Sequence, residues 1–243
     1  ADKIAAALDR LSRIVKTLEA DAGFWLGPSG EKIRMVSASG RVFSCRDALS
    51  TLTVLLCGAE AEGSLVVPVA APQAVDSFAR GKGLNVQRTR SDGHSLMEAA
   101  GNRHVRLVAS MDDRFGFPGF QPHFDGLFAI AKIMELSARA GLSLDEAFAK
   151  LPGHTYHHLQ LPCAWENKGG LMRRMSEDAV DLRASFTDGV RIDTERGWVL
   201  LLPDEYRPIA HIYVEAVDQA DADALRDQYR SKVAGWLDEL AAG

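Results

Sequence analysis

Apolar residues recur at helical spacing from the start of the chain. Ile4, Leu8, Leu11, Ile14, Val15 and Leu18 share one face of residues 3–19, which predicts an amphipathic helix. The period then shortens. GFWLGPSGEKIRMVSASGRVFS (23–44) reads as short strands broken by Gly/Pro turns. Residues 45–57 resume an apolar helix. SLVVPVA (64–70) is a continuous apolar run of strand length, the mark of a strand buried on both faces. LNVQRT (84–89) and HVRLVAS (104–110) read as further strands, with helices after Pro72 and around SLMEAAG (95–101). Strands alternating with helices predict a parallel sheet with right-handed crossovers. Residues 125–141 form the longest clear helix, with Asp125 as N-cap and Gly141 as C-cap, and Ser143 with Glu146 makes a capping box for the next.

After Pro152-Gly153 the pattern changes. HTYHHLQLP (154–162) reads as a strand and NKGGLMRRMSEDA (167–179) as a helix. Three strands follow in succession, GVRID, GWVLLLP and PIAHIYVEA, and a helix runs from about Asp218 to Leu240. Successive strands with short turns predict an antiparallel sheet with helices on one face. The chain therefore divides into an N-terminal remnant (1–60), ending in the small polar joint Gly58–Gly63, an α/β domain (61–153) and an α+β domain (154–243).

The 243 residues suffice for one large domain or two ordinary ones. A net charge of −5 argues against nucleic acid or an anionic membrane as partner. Cys45, Cys57 and Cys163 lie far apart with no CxxC pair, which fits a reducing, cytoplasmic setting. No apolar run approaches the ~20 residues needed to span a bilayer, and the N-terminus lacks an export signal. A helix starting almost at residue 1 suggests a cut from a longer polypeptide.

TDGVRIDTERGWVLLLPDEYRPIAHIYVEA (187–216) resembles the last domain of the α-D-phosphohexomutases, the phosphomannomutase and phosphoglucomutase family, in strand order and spacing. SLVVPVAAPQAVDSFARGKGLNVQRT resembles that family's third domain, FDGLFAIAKIMELSARAGLSLDEAFAKLP the helix pair closing it, and residues 21–56 the second half of its second domain. The resemblance implies a mixed or parallel α/β sheet with helices on both faces, then an antiparallel α+β domain, preceded by part of another domain.

It also implies where chemistry belongs. The family's phosphoserine loop lies in a first domain outside this sequence. Its metal loop, D-x-D-x-D-R, corresponds to Gly27-Pro28-Ser29-Gly30-Glu31-Lys32, where only Glu31 is acidic; no metal or other cofactor is expected on this chain, and Mg²⁺ only in an active parent enzyme. Its sugar loop, G-E-x-S-G-H, corresponds to Ala109–Arg114, with Ser110 at the glutamate and Arg114 at the histidine position. Its phosphate loop, R-P-S-G-T-E-P, corresponds to Leu202-Pro203-Asp204-Glu205-Tyr206-Arg207-Pro208. Leu202 replaces the arginine, and Asp204 and Glu205 put two carboxylates where a phosphate would sit, each repelling it by roughly 1 kcal/mol even near water-like screening.

These departures leave no catalytic residue and imply a degenerate module. The segments PCAWENKGGLMRRM and LPDEYRP are similar to the mutase-like region that follows the nucleotidyltransferase domain in bacterial mannose-1-phosphate guanylyltransferases. The implied role is assembly, including homo-oligomerisation, or binding of a sugar-phosphate or nucleotide-sugar effector, with the N-terminal domains of the same polypeptide as partners. The competing reading is a fragment of a divergent phosphomannomutase or phosphoglucomutase.

Arg114, Arg207 and His211 are the candidate anion donors, in a cleft between the middle and last domains; His211 stands where the family has an arginine. Tyr206-Arg207 reads equally well as a structural turn. Asp112-Asp113-Arg114 reads first as a solvated turn after a buried strand, and second as an acid/base pair or a saccharide-binding loop. His154, His157 and His158, with Cys163 nearby, read as strand histidines rather than metal ligands, because 157 faces away from 154 and 158. Lys168, Arg173 and Arg174 read as the wet face of an amphipathic helix. Trp165 and Trp198 read as core or interdomain anchors.

Overall fold

The computed structural model describes residues 2–60, 62–121, 123–151 and 153–242. It divides into two compact units, residues 1–152 and 153–243.

The first unit opens with α1 (Asp2–Thr17), followed by the antiparallel hairpin β1 (Ala22–Leu26) and β2 (Ile33–Ser37). Then come α2 (Cys45–Ala59), β3 (Gly63–Pro68), α3 (Gln73–Ala79), β4 (Leu84–Thr89), α4 (Gly93–Ala100), β5 (Val105–Ala109), β6 (Phe115–Gly116), α5 (Gly126–Ala140) and α6 (Leu144–Ala149). The sheet order is β4-β3-β5-β6. β3 runs parallel to both β4 and β5, and the two-residue β6 returns antiparallel to β5. Strand alternation divides the apolar run between two faces: Leu65 and Val67 pack with the core of α2, α3, α5 and α6, while Val66 and Val108 pack with Leu96 and Ala100 of α4. The joint at Gly58–Gly63 lies within one shared core, since Leu49, Leu52 and Leu56 of α2 pack together with Ala129 and Ile133 of α5.

Capping works as the residue types require. Asp125 accepts from the Phe128 N–H, Gly141 takes the left-handed conformation (φ 63°), and Ser143 and Glu146 complete the capping box. Pro72 is the N-cap residue of α3, just ahead of its first turn. At Gly126 the absent side chain lets the β1–β2 turn dock on the start of α5: the Gly126 N–H donates to the Gly30 carbonyl at 2.7 Å, and a Cβ there would crowd that oxygen and Ile33.

The second unit comprises β7 (Thr155–Pro162), α7 (Asn167–Asp178), β8 (Arg183–Ser185), β9 (Val190–Asp193), β10 (Gly197–Pro203), β11 (Ile209–Ala216) and α8 (Gln219–Ala242). Its sheet is wholly antiparallel, in the order β7-β11-β10-β9-β8. β8 has no strand pattern in the sequence; three residues are too few for a period of two to show. One face of the sheet carries Val190, Ile192, Val199, Leu201, Ala210, Ile212 and Val214, which pack with Leu171 and Met175 of α7 and Leu225, Tyr229 and Val233 of α8. The other face carries Tyr156, His158, Trp198, His211, Tyr213 and Glu215, as the pairings His158↔Tyr213 and Trp198↔Glu215 require. Among the described residues, no helix is long and apolar enough to cross a membrane.

Candidate functional site

The turn between β10 and β11 is built around one carboxylate. Asp204 Oδ1 accepts the backbone N–H groups of Tyr206 and Arg207, each at 2.8 Å. Its Oδ2 accepts Arg207 Nε at 2.9 Å and Nη2 at 2.7 Å, and pairs with His211 Nε2 at 2.9 Å. Aspartate favours this arrangement because its short side chain reaches the N–H groups two and three residues on. The Asp204 side chain is only 10% exposed. Burial raises its pKa, yet hydrogen bonds from Arg207, His211 and the two backbone N–H groups outweigh it and hold the carboxyl far below the ordinary aspartate range.

The helix α7 pins this turn from behind. Lys168 Nζ donates to the carbonyls of Asp204 at 2.6 Å and Arg207 at 2.7 Å, and lies 3.5 Å from the centre of the Trp165 ring. Lys168 therefore does more than wet a helix face, whereas Arg174 is paired with Glu239 at 2.9 Å. Trp165 is 53% exposed, so the expectation of a core anchor fails there; Trp198 meets it, buried and donating Nε1–H to Glu215 at 3.1 Å.

Of the residues singled out in this loop, Arg207 and His211 converge on Asp204. Glu205 and Tyr206 are exposed, and Leu202 sits half-buried on β10 opposite His211. His211 Nδ1 lies 2.9 Å from His158 Nε2, and the His158 ring stacks on Tyr213 with centroids 4.3 Å apart. Partial burial, reinforced by the neighbouring His211 and Arg207, pushes the His158 pKa down to about 4. Burial, with the charges of Asp204 and Asp188, pushes Tyr213 up to about 12. The other histidines singled out here take different partners: His157 on β7 pairs with Asp223 at 3.0 Å, and His154, just before the strand, lies 3.7 Å from Glu215.

In the first unit, the turn between β5 and β6 repeats the design. Asp112 accepts from Lys32 Nζ at 2.8 Å, from Arg114 Nε at 2.8 Å and from the Ser110 hydroxyl. Burial again works against ionisation, and these hydrogen bonds still lower the Asp112 pKa. The Arg114 guanidinium lies over the Phe124 ring at 4.8 Å. Asp113 adopts φ 71°, pairs with Arg34 at 2.6 Å and donates its backbone N–H to Cys45 Sγ at 3.2 Å. Burial raises the Asp113 carboxyl despite Arg34, and burial beside Asp113 pushes the Cys45 thiol well above its ordinary value. The turn is thus tied into the β1–β2 hairpin rather than freely solvated.

Gly27–Lys32 forms the turn of that hairpin. It offers one carboxylate, Glu31, and an ammonium, Lys32, already committed to Asp112. This donor set does not suit Mg²⁺, which takes carboxylate and water oxygens in an octahedron. Among the described residues, no three His, Cys, Asp or Glu side chains are grouped to hold a metal ion.

The order of the elements, with a mixed α/β sheet of order 4-3-5-6 followed by an antiparallel five-stranded sheet, matches solved structures. A phosphoglucomutase/phosphomannomutase family protein from Burkholderia thailandensis superposes with a TM-score of 0.79 at 20% identity, over 95% of this chain and 50% of that one. This is the phosphohexomutase fold. The N-acetylphosphoglucosamine mutase of Aspergillus fumigatus shares it, with a TM-score of 0.65 at 13% identity over 93% of this chain and 52% of that one. In sequence, the chain is 29% identical over 236 residues to a probable phosphoglucosamine mutase of Methanocella arvoryzae, spanning 96% of this chain and 52% of that protein. It is 25% identical over 226 residues to one of Pyrococcus abyssi, spanning 91% and 50%. The chain thus spans about half the length of the curated relatives it matches. No family model matches it. The two elements that correspond to the phosphohexomutase third and fourth domains are the mixed sheet of the first unit and the antiparallel sheet of the second.

Proposed function

We propose that this chain is a phosphohexomutase-like module without mutase chemistry of its own, serving assembly or the binding of a phosphosugar or nucleotide-sugar effector in a larger sugar-nucleotide enzyme. One observation carries the reading. The side chain of Asp204 takes the hydrogen bonds of two backbone N–H groups, Arg207 and His211 that a bound phosphate would need. An internal carboxylate is tethered, so it competes at a high effective concentration without losing the translational freedom that a free anion surrenders. A parent of the mannose-1-phosphate guanylyltransferase kind belongs to this reading, as the expected resemblance of PCAWENKGGLMRRM and LPDEYRP implies. In this reading the chain holds no Mg²⁺, and its partners are the preceding domains of its own polypeptide and a second copy.

The test is a coupled assay on the complete polypeptide with mannose, glucose and glucosamine phosphates, glucose-1,6-bisphosphate and Mg²⁺. No interconversion of the 1- and 6-phosphates is the expected result; turnover at a mutase-like rate overturns the proposal. The names of the archaeal relatives favour the second reading, half of a divergent mutase acting on a hexosamine phosphate. The upstream sequence separates the two: a T-x-S-H-N serine loop points to a mutase, a G-x-G-x-R-L signature to a nucleotidyltransferase.

A further inference from the structure

We propose that the facing imidazoles of His158 and His211 form a two-histidine chelate for a divalent transition metal of the zinc, nickel or copper class. The pair is built by the sheet. His158 on β7 stands opposite Tyr213, and His211 on β11 stands opposite Gln160, so the two histidines are diagonal neighbours on one face. His158 Nε2 and His211 Nδ1 lie 2.9 Å apart. A metal bonding each nitrogen at roughly 2.0–2.1 Å holds them about 2.9 Å apart at a right angle and about 3.3 Å apart in a tetrahedron, so a separation of a few tenths of an ångström with a turn of both rings replaces the bridging proton by a cation.

The surroundings suit this exchange. Asp204 Oδ2 engages His211 Nε2 at 2.9 Å. That contact places the proton on Nε2 and leaves the Nδ1 lone pair facing His158, the carboxylate–imidazole arrangement that commonly orients a metal-bound histidine. The stack on Tyr213 holds the His158 ring. With His211 protonated on Nε2, the bridging proton belongs to His158 Nε2, and a cation takes its place when the neutral His158 ring adopts the other tautomer, with its proton on Nδ1. Its exposure leaves the remaining coordination positions open to water. Imidazole suits borderline cations, and a hard ion such as Mg²⁺ gains little from it.

Charge around the pair is mixed. Asp204 faces it from the turn and Asp188 acts on Tyr213, while the Arg207 guanidinium opposes a second cation but is itself neutralised by Asp204. With two protein ligands the site is weak beside a structural zinc site. Its consequence is mechanical: a bound metal ties the edge strand β7 to the Asp204 turn. This inference does not depend on whether the module lacks mutase chemistry.

The experiment uses the whole chain, stripped with a chelator and titrated with zinc chloride alone. Binding is followed by calorimetry and by long-range ¹H–¹⁵N spectra of the histidine rings. One ion per chain is expected, with His158 Nε2 and His211 Nδ1 shifting together. His158→Gln, on an exposed strand position, should weaken binding at least tenfold with an unchanged circular-dichroism spectrum. Asp204→Asn should weaken it about tenfold through loss of the orienting carboxylate. If His211→Gln fails to fold, His158→Gln still decides. Unchanged affinity in His158→Gln, or shifts confined to other histidines such as His154 or His157, overturns the proposal.

Discussion

At Asp204, replacing the carboxylate with a hydroxyl leaves Arg207, His211 and two backbone N–H groups facing an opening of anion size. Asp204→Ser is therefore expected to acquire millimolar affinity for inorganic phosphate that the native chain lacks, read by ³¹P line broadening. The same change should cost about 2 kcal/mol of stability, the worth of hydrogen bonds to a charged group. pH dependence separates Asp204 from His158. The folded pKa of Asp204 lies below its unfolded value of about 3.9. Its stabilisation is therefore complete above about pH 4 and is lost as pH falls through the lower folded value. His158 acts in a higher window. Its folded pKa of about 4 lies below the unfolded ~6.5. As pH drops, the unfolded chain takes up that proton first, so stability declines between about 6.5 and 4. Urea midpoints across this range should fall with acidity in the native chain and flatten in His158→Gln; an unchanged slope in the variant contradicts the assignment.

Among the elements, α7 and the β10–β11 turn are joined by Lys168, which donates to the carbonyls of Asp204 and Arg207. Lys168→Met keeps the length of the side chain and removes its donors. It should destabilise the second unit by about 1–2 kcal/mol and raise amide exchange at Tyr206 and Arg207 more than in α8. Gly189 enters β9 with φ 71°, and a Cβ there would strike the Leu201 carbonyl of β10. Gly189→Ala should cost about 1–3 kcal/mol, visible as a lower thermal midpoint, whereas the same exchange at Gly169, where nothing lies nearby, should not lower it.

At the scale of the whole molecule, the cores are separate: the buried residues of the first unit group among themselves, and those of β7–β11, α7 and α8 form their own cluster. Residues 153–243, expressed alone, are expected to give a dispersed amide spectrum and a cooperative urea transition. A collapsed spectrum would show that this sheet depends on the rest of the chain. The split at residue 153 was legible because it coincides with a change of period, from alternating strands and helices to successive strands. The core shared across Gly58–Gly63 was not, because a polar joint between two elements looks the same whether they pack together or apart.

The order of elements, their caps and the apolar face of each strand were determined by the sequence itself, since helix and strand periods, Asp125, Gly141 and Ser143 act over a few residues. What Asp204 does was decided only in three dimensions. Read along the chain, it is one of two neighbouring carboxylates; folded, it takes the hydrogen bonds of two backbone N–H groups, Arg207 and His211, while Glu205 is exposed. The contacts that make the difference come from His211 on the next strand and Lys168 on a helix 36 residues earlier. Spacing along a chain does not encode such meetings, because they depend on strand register and helix packing across the whole unit.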